Sequence, residues 1–136
     1  MNTFKSILKS LGAVVAGYLV SALLTGVTIS ILGAIFPESY TPENPGWVIF
    51  NVIYGCAFAV IGGYITARLA PSHPFNHALV LGILMALFAA LTGYMVSVAP
   101  STPEYAAQPG WYYPTLAITV LPSILLGAWI YSKKHV

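Results

Sequence analysis

Four apolar runs, residues 11–36, 47–69, 77–99 and 112–131, contain no Asp, Glu or Lys, and connections rich in proline and glycine part them. Each run reaches or approaches the ~20 residues that a helix needs to cross a hydrocarbon core about 30 Å thick. In lipid a backbone must satisfy its own N–H and C=O groups, and a helix does so within one segment. The connections FPESYTPENPG, APSHPFN and PSTPEYAAQPGW carry helix-stopping prolines and polar atoms that need water. Helices buried in a soluble protein would keep polar faces, which these runs lack. The fold class expected is therefore all-α, a four-transmembrane-helix bundle, with residues 1–136 as one integral membrane domain.

Composition agrees. Of 136 residues, 58% are hydrophobic and 6% charged, against roughly a quarter charged in soluble domains. Mean hydropathy is +0.84. No connection is long enough to build a second core, so any function outside the membrane rests on short loops. The net charge of +2 is scattered and supplies no basic stripe for nucleic acid.

The charges are also ordered along the chain. Lys5 and Lys9, Arg68, and Lys133 with Lys134 fall in three stretches, and Glu38, Glu43 and Glu104 in the two between. Cytoplasmic loops retain Lys and Arg, so the pattern predicts four crossings with both termini in the cytoplasm. Trp and Tyr favour the headgroup zone. Tyr40, Trp47, Tyr105, Trp111, Tyr112 and Tyr113 mark the outer rim, and Trp129 with Tyr131 the inner one. The start, MNTFKSILKSLG, imitates a secretory signal, but run 11–36 exceeds the roughly 7–15 residues of a signal core. No convincing small-x-small cleavage site closes the run before Pro37, so a retained first helix is expected.

The two halves resemble each other. ALLTGVTIS at 22–30 matches AALTGYMVS at 89–97, and each copy is followed by TPE and then PGW. Gly63 and Gly127 lie at equal distances beyond Trp47 and Trp111. An internal duplication of two helical hairpins is expected, related by an axis along the membrane normal.

Small residues recur every fourth position, which places them on one helical face where backbones approach closely. The first run carries Ala13, Gly17, Ser21 and Thr25, with a second stripe of Ala22, Gly26, Ser30 and Ala34. The second carries Gly55, Ala59, Gly63 and Ala67, the third Ala78, Gly82, Ala86 and Ala90, and the fourth Thr119, Ser123 and Gly127. These are the expected helix-packing positions, and the second stripe of the first run is left over for another chain.

Asn51 is the most polar side chain within a run, and its amide needs partners in hydrocarbon. Ser30, Thr115 and Thr119 are the expected polar contacts, as an interhelical clamp or as the lining of a transport path. The absence of an intramembrane acid argues against a proton-coupled exporter. Arg68 is expected to snorkel to phosphates. Cys56 is read as a small hydrophobe. His73 and His77, four apart but separated by Pro74 and with no nearby third ligand, are not expected to hold a metal. Asn76 has the character of an N-cap for the third helix. Pro122 interrupts the fourth run and frees a carbonyl that Ser123 or a neighbour is placed to satisfy. Glu43 and Glu104, with Trp47 and Trp111, suggest an acidic, aromatic outer rim. Neither phosphate loop, nucleophile elbow, CxxC pair nor HExxH helix occurs, so no catalytic residue and no cofactor is expected.

The stretch IGGYITARLAPSHPFNHALVLG at 61–82 resembles a pattern in uncharacterised small bacterial four-helix integral membrane proteins: Gly-Gly-aromatic, a small residue before Arg, Ala-Pro, then His-Ala. The resemblance implies bacterial origin and architecture, and it carries over no functional residue. The function expected is that of a non-catalytic accessory or packing subunit of a membrane complex or homo-oligomer. A small transporter or channel with a polar path near Asn51 is the alternative.

Overall fold

The computed structural model of the chain describes residues 2–40, 44–98 and 111–134. These residues form four helices, α1 (Asn2–Ile35), α2 (Pro45–Leu69), α3 (Pro74–Val98) and α4 (Tyr112–Lys134). Each is long and apolar enough to cross a membrane. The protein is an all-α, four-span membrane protein in contact with the bilayer.

Local chemistry sets the helix limits. α1 begins nine residues before run 11–36 does and is 34 residues long, about 51 Å at the helical rise. Nothing in its first two turns breaks a helix, and Lys5, Ser6, Lys9 and Ser10 are excluded only from lipid. Hydropathy thus locates the hydrocarbon rather than the helix end. Pro37 follows closely on the last turn. α2 starts at Asn44, whose side-chain oxygen accepts from the Gly46 N–H at 3.1 Å, with Pro45 at the first helical position. α3 starts earlier than its Asn76 cap was expected to allow. Pro74 opens it, and Asn76 already donates its N–H to the His73 carbonyl at 3.0 Å. His73 turns the chain with φ at 45°. Its carbonyl gathers the free donors of the first turn.

α1 runs antiparallel to α2. The buried Thr66 hydroxyl donates to the Ala13 carbonyl at 3.1 Å, and the Ser21 hydroxyl to the Phe58 carbonyl at 3.1 Å. A Cβ on Gly17 would lie 2.7 Å from the Gly62 carbonyl oxygen. Helices this close need both glycines.

α2 and α4 run side by side in the same direction, through a reciprocal contact. A Cβ on Gly63 would strike the backbone of Ile124, and one on Gly127 would strike the Val60 carbonyl oxygen. Each glycine thus meets the residue three places before the other. α4 also packs on α3, where Gly82 receives the Leu121 side chain. α1 contacts α2 and α3 but lies apart from α4.

The core is built from Ala59, Ala67, Ala78, Leu81, Ile124 and Ala128. Four of these six are alanine, so helix surfaces meet with little side chain between them. The alternating directions bring Lys5, Lys9, Arg68, Lys133 and Lys134 to one end of the bundle and Glu38 to the other. At the cationic end Lys133 Nζ sits 4.7 Å from the Trp129 ring centroid, as a side chain reaching out of lipid does.

Candidate functional site

In the half of the bundle away from the cations the four helices leave space between them. Between the helices there lies a cavity of about 170 Å³, to which all four contribute. Thr25 and Ile29 come from α1, Asn51, Tyr54, Gly55 and Cys56 from α2, Met85 and Ala89 from α3, and Tyr112, Leu116, Thr119 and Val120 from α4. No Cα atom of α1 comes within 8 Å of one in α4, and the cavity lies between these two helices.

Asn51 is the polar centre of this space, but its partners differ from those expected. Tyr40, in the segment after α1, donates its hydroxyl to Asn51 Oδ1 at 2.6 Å. With that proton committed, Tyr54 donates to the Tyr40 oxygen at 3.1 Å. The relay Tyr54 to Tyr40 to Asn51 orients the amide: its oxygen faces Tyr40, and its NH2 group has no partner among the described residues. Rings reinforce it. Trp47 stacks against Phe36 at 5.1 Å and Tyr40 at 5.2 Å, and Phe50 against Tyr54 at 5.4 Å.

The expected clamp from Asn51 to Ser30, Thr115 and Thr119 does not form. Ser30 donates to the Gly26 carbonyl at 2.9 Å, on the exposed side of α1. Thr119 donates to the Thr115 carbonyl at 2.7 Å. Hydroxyls on membrane helices readily turn back to the preceding turn, and that local choice wins here. Thr119 nevertheless lines the cavity with Asn51, while Ser30 and Thr115 do not. Ser123 likewise donates to the Thr119 carbonyl at 2.8 Å, not to Ile118, whose partner Pro122 removes.

Of the helix-packing positions, Gly17, Ser21, Ala59, Gly63 and Gly127 are buried at contacts and Gly82 meets Leu121. Ala86 is half-buried on α3, and Thr25 lines the cavity. Gly26 and Gly55 differ from expectation. An added Cβ at either would meet nothing within 4 Å, because Gly26 faces outward and Gly55 faces the cavity. Trp47 is half-buried in its aromatic cluster and Trp111 is exposed. Glu43 and Glu104, and with them the paired acidic rim, lie outside the described residues.

At the cationic end the two histidines separate by role. His77 Nδ1 lies 3.1 Å from the His73 carbonyl oxygen, which calls for a proton on Nδ1. Its Nε2 then accepts from the Ser10 hydroxyl at 2.8 Å, tying the start of α3 to α1. Among the described residues no group of three metal-ligating side chains comes together.

Sequence reasoning missed Thr66 and Tyr40. Thr66 was one of many helix threonines, and its partner is a carbonyl, which every residue has. Tyr40 was assigned to the headgroup zone as a single residue, with no sign that the chain would fold it back onto Asn51. Compared with known proteins, the chain matches no family model, no curated protein and no solved structure.

Proposed function

We propose that this protein is a non-catalytic packing subunit of the bacterial inner membrane, associating through its helices with a second membrane chain or with copies of itself. The outer half of α1 carries the reading. No residue from 22 to 35 is buried, and Ala22, Gly26, Ser30 and Ala34 form an open face. Gly26 and Gly33 have no neighbour where a Cβ would stand, and the Ser30 hydroxyl is already satisfied by Gly26. Such a face is smooth and needs no polar partner, which suits close approach of another helix.

Two further elements belong to the proposal. The cationic end faces the cytoplasm, as the retention of Lys and Arg favours. The hairpins α1–α2 and α3–α4 derive from a duplication, which the reciprocal Gly63 and Gly127 contact supports.

The test is the native mass of the purified protein in mild detergent. An assembly larger than 14.5 kDa is expected for the wild type, and Gly26→Ile is expected to dissociate it without loss of helix. A stable 14.5 kDa wild-type monomer without any partner would count against the reading. A small transporter or channel is the second reading, favoured by Asn51 and Thr119 sharing one cavity. Solute flux into liposomes holding the pure protein, abolished by Asn51→Leu, would promote it.

A further inference from the structure

We infer that the cavity between the four helices is a binding site for a small, uncharged, largely apolar molecule that presents one hydrogen-bond-accepting oxygen, such as a ketone. The inference does not depend on the subunit having partners.

Size and lining decide between an organic occupant and water. At about 170 Å³ the space compares with an apolar cavity of about 150 Å³ that takes up benzene. Five or so waters would also fit by volume, at about 30 Å³ each. Each of those waters requires two to four polar partners. Ile29, Gly55, Met85, Ala89, Leu116 and Val120 offer none from their side chains. The polar groups suffice for one or two waters, so most of the space suits a hydrocarbon body.

The polar groups also have a direction. The relay from Tyr54 through Tyr40 occupies the Asn51 oxygen, which leaves the Asn51 NH2 group as donor. Thr25 has no hydrogen-bond partner among the described residues, unlike Thr28, Ser30, Thr92, Thr119 and Ser123, whose hydroxyls turn back to their own helices. With the Tyr112 hydroxyl, which likewise has no hydrogen-bond partner among the described residues, three such donors line the same largely apolar space. An unmatched donor in such surroundings is unfavourable until an acceptor arrives. A carbonyl oxygen takes two hydrogen bonds and carries no charge into the membrane.

The protein contains its own reporter. Cys56, the single cysteine of the chain, lines the cavity. In the experiment, the rate at which methyl methanethiosulfonate modifies Cys56 in detergent-solubilised full-length protein is measured alone, with cyclohexanone, and with methylcyclohexane. Cyclohexanone is expected to slow modification at least threefold, and methylcyclohexane less than half as much at equal concentration. Thr25→Val and Asn51→Leu are each expected to reduce the ketone's effect to that of the hydrocarbon, each variant's protection being taken as a ratio to its own unprotected rate and the helical circular dichroism being unchanged. Should Asn51→Leu fail to fold, Thr25→Val and the wild-type comparison of the two compounds still decide. Equal protection by ketone and hydrocarbon, protection by neither, a Cys56 that never reacts, or folded variants protected like the wild type would each overturn the site.

Discussion

At the scale of single residues, the stability of the bundle turns on hydroxyls whose partners are backbone carbonyls of another helix. Thr66 is fully buried and donates to the Ala13 carbonyl of α1. Replacing it with valine keeps the shape and removes the donor. Interhelical hydrogen bonds in membranes average about 0.6 kcal/mol and reach about 1.7, so Thr66→Val is expected to lower the thermal midpoint in detergent by a corresponding margin. Thr92→Val serves as the comparison, since Thr92 is half-buried and donates only within its own helix at 2.8 Å. Equal effects of the two substitutions would remove the cross-helix role. Little of this was legible beforehand. The polarity of Asn51 was evident from its type, but its partner Tyr40 was decided by how the chain turns after α1.

At the scale of helices, spacing of four identified faces, and packing then distinguished the faces that are used from those that are not. Gly63 sits against the backbone of Ile124 and Gly26 against nothing. A methyl group at Gly63 forces α2 and α4 apart, and overpacking of this kind costs about 1–3 kcal/mol. Gly63→Ala is therefore expected to destabilise the protein clearly in a detergent that holds it as a monomer, where Gly26→Ala changes the thermal midpoint by no more than about 0.5 kcal/mol allows. The opposite ranking would show that α2 and α4 are not neighbours. Both glycines look alike in a list of small residues. What separates them is whether a second helix stands opposite, a fact that periodicity within one helix does not contain.

At the scale of the whole molecule, the alternating helix directions collect the five cations at one end. With Cys56 replaced by alanine, single cysteines at Lys5, Glu38 and Lys134 are expected to respond differently to a membrane-impermeant maleimide added to intact cells. Glu38→Cys is expected to label, and Lys5→Cys and Lys134→Cys only after the membrane is opened. Labelling of the two terminal positions on opposite sides would break the four-span arrangement. Four long apolar runs and the prolines between them determined that the chain is a membrane bundle, because lipid accepts a lone backbone segment only as a helix. That demand acts on every residue through its own composition, and it is visible before any contact forms. The order of the helices around the bundle, the separation of α1 from α4, and the cavity between them were decided only by tertiary structure. Van der Waals packing between helices has no counterpart in hydropathy, since lipid tails are as apolar as the side chains they touch.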